Sequence, residues 1–441
     1  SFADYAALDD PVFDVNVTPN RPDCMGINGI ARDLAAAGLG TLKARSVAVV
    51  DGIFEPTVEV RVEGGSGCWT FWRREIRGVT NGPSPEWLQQ RLKAVGLRPI
   101  SALVDVTNFF SIDQARPLHV YDTARLEGGI VARRGREGDR FLALNDKEYS
   151  PTPNDIVIAD DRGAIGFGGV MGGASTGVDE TTTDVLIECA WFDPVRVGAT
   201  GRRHAIASDA RARFERGIDP AQMPEVIESA ARMMIDLAGG KASVPAMVSD
   251  DAPTIARNVD YRPSRLAGLA GLDLGEDEQE AILARLGFAI SECKGELWSI
   301  AVPSWRPDVD GEADVVEEIA RIAGFDRIAP ASLPRADGVA KPTATRAQTI
   351  ERKVRRAAAA RGLNEAVTWS FIADEEAADF GGGDFRLLNP ISEELKVMRP
   401  SLLPGLIAAA RRNLDRGAAS VRLFEVGRRY LAEGEKPTLT L

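Results

Sequence analysis

Apolar and polar positions alternate along only a few stretches of this chain, and those stretches set the first expectations. Residues 185–190 read VLIECA, a strand in which Leu186, Glu188 and Ala190 share one face and Val185, Ile187 and Cys189 the other. Glu188 thereby sits on an apolar face, where a carboxylate must be paired, protonated or waiting for a ligand. Residues 156–159 and the alternating Trp298, Ile300 and Val302 predict further strands, as do 367–371 and 421–426. Residues 12–17 also read as a strand, ended by a turn at 18–23 whose two prolines forbid its continuation.

Helical spacing takes over elsewhere. Ile27, Ile30, Ala31 and Leu34 run up to Gly38, and Leu88, Leu92 and Val95 follow Ser84-Pro85, with the serine as N-cap and Gly96 as the stop. Met223, Val226, Ile227, Ala230, Met234 and Ile235 trace a long amphipathic helix ended by Gly239-Gly240, and Ile282, Leu283 and Leu286 a shorter one before Gly287. Basic residues mark a helix over 345–361, and 407–414 predicts another. Val315, Val316, Ile319 and Ile322 cover one side of a helix whose other side carries Asp314, Glu317 and Glu318 at i, i+3 and i+4. Like charges so placed repel; either a divalent cation relieves them or they favour the positive end of the helix.

The 441 residues, 44% hydrophobic and 27% charged, predict a folded protein of two to four domains, at roughly 100–200 residues each. No apolar run approaches the length of a membrane span, and no signal peptide opens the chain. Cys24, Cys68, Cys189 and Cys293 lie far apart, which argues against a zinc knuckle or a disulfide framework and for a reducing, cytoplasmic setting. A net charge of -12 disfavours non-specific coating of nucleic acid. Within it, residues 201–217 carry Arg202, Arg203, Arg211, Arg213 and Arg216 against Asp209 and Glu215. Such a segment is either a solvated, salt-bridged surface or a place where an anion such as a phosphate is held. The glycine-rich stretch 166–173 lacks the Lys-Ser/Thr of a P-loop, so tight turns explain it better than a nucleotide does. Asp105, Asn108 and His119 lie in the apolar stretch 97–122, where polar groups are more often satisfied core hydrogen-bonders than catalysts.

Together, FDVNVTPNRPDC from Phe13, PLHVYD from Pro117, GGVMGG from Gly168, SDARARFERGIDP from Ser208, VPSWRPD from Val302, LLNPISEELKVMRPSLLPGL from Leu387 and RLFEVGR from Arg422 resemble the bacterial phenylalanyl-tRNA synthetase beta subunit. The resemblance covers the chain in the family's order. It implies an α+β, multidomain protein: a mixed α/β editing module over 1–246, a small helix-rich module over 251–330, and a synthetase-like antiparallel sheet module over 334–441, non-catalytic and cut short. The family's N-terminal tRNA-binding and C-terminal anticodon-binding domains have no counterpart, so a fragment is expected. By the same resemblance His119, Glu188 and Ser208 are catalytic, and Arg98, Pro117, Gly172 and Ala210 line the editing pocket. Ser208 stands where threonine is common in the family, which keeps the hydroxyl and loses a methyl. Arg202, Arg203 and Arg211 are the residues expected to meet RNA. Asp308, Asp314, Glu317 and Glu318 are expected to hold magnesium shared with the alpha subunit, while ATP is used by the holoenzyme and not bound by this chain alone. The implied activity is hydrolysis of mischarged tyrosyl-tRNA(Phe) within an alpha2-beta2 assembly, without aminoacylation by this chain and without DNA or membrane. The alternative is a structural, RNA-positioning subunit with an inactive pocket.

Overall fold

The computed structural model describes residues 11–45, 47, 49–334, 338 and 342–441. They form an α+β protein of two compact units, Ser1–Ala331 and Ser332–Leu441.

In the first unit the continuous apolar run around Glu188 becomes the strand Asp184–Phe192, buried on both faces. It is flanked on one side by Cys68–Arg77 and on the other by His119–Asp122, all antiparallel. Lys241–Ala242 and Ala246–Ser249 extend the sheet beyond Cys68–Arg77. Cys189 reaches the first turn of the helix Met223–Ala238 on one face, and that helix packs against Ala102–Gln114. The other face, bearing Glu188 and His119, meets a second five-stranded sheet in the order Val60–Val62, Ile130–Arg134, Ile156–Asp160, Gly163–Phe167, Met171–Gly172. A strand run apolar at every position from Val185 to Phe192 except Glu188 fits two covered faces.

A second core lies in the same unit. The antiparallel strands Arg257–Tyr261, Leu297–Val302 and Ala289–Lys294 pack with the helices Ser264–Ala270, Glu276–Arg285 and Glu312–Ala323. Trp298, Ile300 and Val302 turn inward as their alternation predicts. Ala36, at the end of the helix Ile27–Ala36, belongs to this second core. Asp33 of that helix pairs with Arg321 at 2.8 Å, and Arg32 lies over the Trp305 ring.

The second unit has Asn364–Glu365 parallel to Leu423–Leu431, which pairs antiparallel with Gly434–Thr440. Thr345 caps the helix Arg346–Ala359 through a reciprocal box with Gln348. Its buried polar centre is Arg399, bonded to Glu425 at 2.8 Å and to the Thr368 hydroxyl at 2.8 Å.

Three local expectations fail, and the first is the strand over 367–371, of which only Phe371 enters a strand, Phe371–Ile372. Residues 12–17 form no strand; Phe13 is 81% exposed, and these residues pair with no other strand. Ser84 does not cap its helix, which begins at Glu86 after Pro85. Its hydroxyl donates instead to Asp105 at 2.5 Å, and Asp105 also accepts from the Ile100 amide, so this buried carboxylate is a satisfied core group.

The second core also holds a buried ion cluster with a measurable consequence. Arg306 joins Asp308 and Glu318, and Arg321 also holds Glu318. Burial opposes ionisation of Glu318, but the hydrogen bonds from Arg321 and Arg306 outweigh it and hold the carboxyl below its usual range. Arg306→Ala is expected to lower stability by about 3–5 kcal/mol, because it strands part of a buried charge set. Arg327→Ala, which breaks an exposed pair with Glu278, should cost less than about 1 kcal/mol. Urea unfolding followed by tryptophan fluorescence compares the two; equal losses would refute the assignment.

Candidate functional site

Strand register assembles the site. Glu188 stands directly opposite His119 on one neighbouring strand and opposite Arg73 on the other. Directly opposed residues share a face, and so do residues two apart on one strand, so Glu188, His119 and Tyr121 line one surface. Tyr121 is 3% exposed and Glu188 7%, and the phenol donates to Glu188 Oε2 at 2.5 Å. Oε1 accepts no hydrogen bond among the described residues. The His119 ring stands edge-on to Tyr121 at 4.4 Å between centroids, and its Nε2 is buried without a partner.

Gly172 closes this surface from the other sheet. A Cβ there would stand 2.6 Å from His119 Cε1, so only glycine lets the backbone lie against the ring. Gly169, three residues earlier, takes φ +72° and tucks against Phe192, Val197 and Phe214. Ser208 ties the loop to the next helix. Its Oγ donates to the Val170 carbonyl at 2.6 Å and accepts from the Arg211 amide at 3.1 Å, as N-cap of Asp209–Phe214. Ala210, in that helix, packs partly buried against the same core. Pro117 is buried two residues before His119, whereas Arg98 is exposed and has no bonded partner among the described residues. Contacts therefore join His119, Gly172 and Glu188 directly and Ser208 through Val170; none joins Arg98 to them.

The cationic segment is largely consumed internally. Arg203 pairs with Asp155, which also accepts from His204 at 2.9 Å. Arg211 bonds Glu215 at 3.0 Å and the Ile206 carbonyl at 2.5 Å, and Arg213 bonds Asp209 and the Ser111 carbonyl. Arg202 alone of the five is left without a bonded partner among the described residues.

Electrostatics mark the centre. Burial pushes the Glu188 carboxyl up to about 7, against the Tyr121 hydrogen bond, which pulls the other way. Burial drives His119 down to about 4, so its ring is neutral at pH 7. Burial, then the nearby Glu188 charge, raise the Tyr121 phenol well above its usual range. Tyr121 is the residue that sequence reading passed over. Its position two residues after His119, on the same face of one strand, was the available signal.

Three family models match in succession: the B3/4 domain over residues 67–239, the tRNA synthetase B5 domain over 259–325, and the phenylalanyl tRNA synthetase beta chain CLM domain over 329–440. A phenylalanine–tRNA ligase beta subunit from Novosphingobium aromaticivorans is 55% identical over 434 residues, 98% of this chain and 54% of the relative. That of Zymomonas mobilis is 51% identical over 441 residues, 100% of this chain and 55% of the relative. The chain belongs to the phenylalanine–tRNA ligase beta-subunit family. It spans about half the length of the curated relatives it matches. A solved N-terminal fragment of the phenylalanyl-tRNA synthetase beta-subunit from Pyrococcus horikoshii aligns at 15% identity with a TM-score of 0.36, over 73% of this chain and 94% of that one, a likeness too small to carry an argument. The seven residues expected to form the pocket and its chemistry all fall inside the B3/4 match.

The carboxylates expected to hold magnesium do not fit that ion as they stand. Both Asp308 oxygens accept from Arg306, both Glu318 oxygens accept from Arg321, and Asp314 caps its own helix through the Gly311 amide at 2.9 Å. Glu317 is exposed and among the described residues meets only Asn20, at 3.5 Å. Glu318 thus lies on the buried side of its helix rather than on a charged outer face, because two arginines neutralise it there. Among the described residues, no three of these four bring ligand atoms within 4.8 Å of one another.

Glu188 and His119 give the site opposed pH dependences. Folded Glu188 keeps its proton to about pH 7, whereas the unfolded side chain releases it near 4.5; the stability this confers below 4.5 is lost as pH rises through that window. Folded His119 resists protonation down to about 4, whereas unfolded histidine takes a proton near 6.5; its contribution is lost as pH falls through that window. The two offset each other in the native chain. Glu188→Gln should therefore lose stability, relative to wild type, as pH falls from 6.5 to 4.5, and His119→Asn as pH rises from 4.5 to 7. Denaturant midpoints across pH read both slopes, and parallel curves for all three proteins would contradict the assignment.

Proposed function

We propose that this surface is an ester-hydrolysing editing site that removes tyrosine from mischarged tRNA(Phe), in a beta subunit that also scaffolds a catalytic alpha subunit. The observation that carries the reading is Glu188: a buried carboxylate with one oxygen unused, beside a neutral histidine and a glycine backbone.

Tyrosine differs from phenylalanine by one hydroxyl. A hydrophobic synthetic pocket rejects an added hydroxyl by only about a hundredfold, so a second site must demand that group. Glu188 Oε1 can accept the substrate phenol, while a phenylalanyl ester would leave it unpaired, a loss of roughly 1–3 kcal/mol. His119 Nε2, which has no partner, can meet the attacking water or the terminal ribose, as acceptor in the Nδ1–H tautomer and as donor in the other. A base with a pKa of about 4 stores a proton poorly at pH 7, so orientation suits it better than general-base catalysis. Water attacks the ester carbonyl, the acyl–oxygen bond breaks, and the ribose hydroxyl leaves with the proton. Ser208 holds the glycine loop against this centre, and Ala210 leaves room for the ring. Arg202 and Arg98, exposed and unpaired, are the residues best placed to attract RNA phosphates; Arg203 and Arg211 serve that role only through charge they already share.

In the second unit Val367, Trp369, Leu388 and Ile391 are large apolar side chains left exposed, which supports docking of a partner subunit in an alpha2-beta2 assembly. ATP and magnesium belong to the holoenzyme.

Glu188→Ala should slow tyrosyl-tRNA(Phe) hydrolysis about tenfold or more and narrow the preference over the phenylalanyl ester, a tenfold change being about 1.4 kcal/mol. Ala210→Trp should block the pocket by bulk. Deacylation assays on both esters decide. A Glu188→Ala protein that hydrolyses the tyrosyl ester normally and still spares the phenylalanyl ester would leave Glu188 a structural group, and a wild-type protein with no hydrolysis would leave a structural, RNA-positioning subunit.

A further inference from the structure

We infer that Tyr121 is a specificity-determining residue of this site: an internal phenol that occupies one oxygen of Glu188 and thereby aims the other at the phenol of a substrate. The inference rests on the editing reading above and goes beyond it, because it asks how the reading carboxylate is held.

A glutamate side chain has three rotatable bonds, so a lone carboxylate is a poor ruler. Here Oε2 is fixed by the Tyr121 hydroxyl at 2.5 Å, and the Tyr121 ring is braced by the edge of His119 at 4.4 Å. Register explains the reach. His119 is opposite Glu188 and Tyr121 opposite Leu186, so the phenol approaches the carboxylate diagonally, one pleat along the same face. With Oε2 filled, a substrate hydroxyl has one acceptor and one direction of approach.

Among the described residues, the groups that face Glu188 leave this bond as its one polar tie. His119, opposite on one side, is neutral and contributes no charge. Arg73, opposite on the other side, makes no hydrogen bond or ion pair to the carboxylate, and two of its nitrogens are buried without partners. Cys68 contributes a buried thiol whose ionisation burial and Glu188 both oppose. From the second sheet the approach is made by glycine backbone at Gly172. Ionisation of Glu188 is thus set by burial against a single donor, Tyr121. An ionised carboxylate accepts from a substrate phenol and a protonated one competes as a donor, so the same bond that aims Glu188 also keeps it in the form that reads.

Tyr121→Phe removes the hydroxyl and keeps the ring. In the complete protein that carries this chain, the rise of tyrosyl-tRNA(Phe) hydrolysis with pH should move up by about one pH unit. At pH 7 the preference over the phenylalanyl ester should fall roughly five- to tenfold, and raising the pH to about 8.5 should restore most of the tyrosyl rate. A merely structural role would lower the rate at every pH and would not be rescued. The carboxylate itself gives a readout independent of activity: the infrared band lost in Glu188→Gln, followed against pH, should titrate higher in Tyr121→Phe than in wild type. Wild-type hydrolysis with the same infrared midpoint in Tyr121→Phe, or with an ester preference within twofold of wild type, overturns the inference alone. No wild-type hydrolysis overturns the editing reading, while a raised infrared midpoint in that case still supports the Tyr121–Glu188 coupling.

Discussion

A single strand, Asp184–Phe192, is hydrogen-bonded on both sides and buried on both faces, and the architecture of the first unit depends on it. A strand in that position can hold its side chains with little freedom, because both neighbours and both layers fix it. Placing a carboxylate in it is costly. That cost is met by one phenol, the Tyr121 hydroxyl, and by retention of a proton to about pH 7. A carboxylate so under-supplied with partners is the feature on which the proposed editing reading rests. The neighbouring strand shows how a structural acid is treated: Glu75 on Cys68–Arg77 accepts from the Thr57 and Val58 amides and from the Thr57 and Arg77 side chains.

The glycine-rich loop brings the second half of the site to this strand. Its glycines are needed for contact, not for phosphate: Gly169 packs on aromatic rings and Gly172 on His119. Ser208 then uses both capacities of its hydroxyl, one on the loop and one on its own helix. Threonine would make the same two bonds. The hydroxyl is a strut between the Ala210 helix and the loop, with one hydrogen bond to each.

How much of this was legible in the sequence follows from which signals are local. The alternation at 185–190 placed Glu188 and Cys189 on opposite faces, and the spacing of Trp298, Ile300 and Val302 gave their burial. The amphipathic stripe of Met223–Ala238 did the same. What failed depended on partners distant in sequence. Residues 12–17 have strand-like alternation and no strand beside them. Ser84 looked like a cap because proline followed it, and Asp105, 21 residues away, took its hydroxyl instead. The local balance of charge over 201–217 sets Asp209 and Glu215 against the five arginines and has no place for Asp155, which lies outside the segment and still pairs with Arg203. Tyr121 was missed for the same reason, since nothing local shows that its hydroxyl lands on a residue 67 positions away.

The acidic helix of the second core teaches the complementary lesson. Asp314, Glu317 and Glu318 fall at cation-binding spacing, yet the helix end and the arginines divide them. Asp314 accepts from the amide of Gly311, the N-cap of its own helix, and from the Asp310 amide just before it. Glu318 is enclosed by Arg306 and Arg321, and Arg321 continues to Asp33 and through it to Arg21. Guanidinium forks here do the neutralising that a divalent ion would do. They also carry hydrogen-bond direction, which joins the Ile27–Ala36 helix to the second core. A hard cation at Glu318 would have to displace two such forks and expose a buried carboxylate on the way, so in this chain the set acts first as an internal clamp.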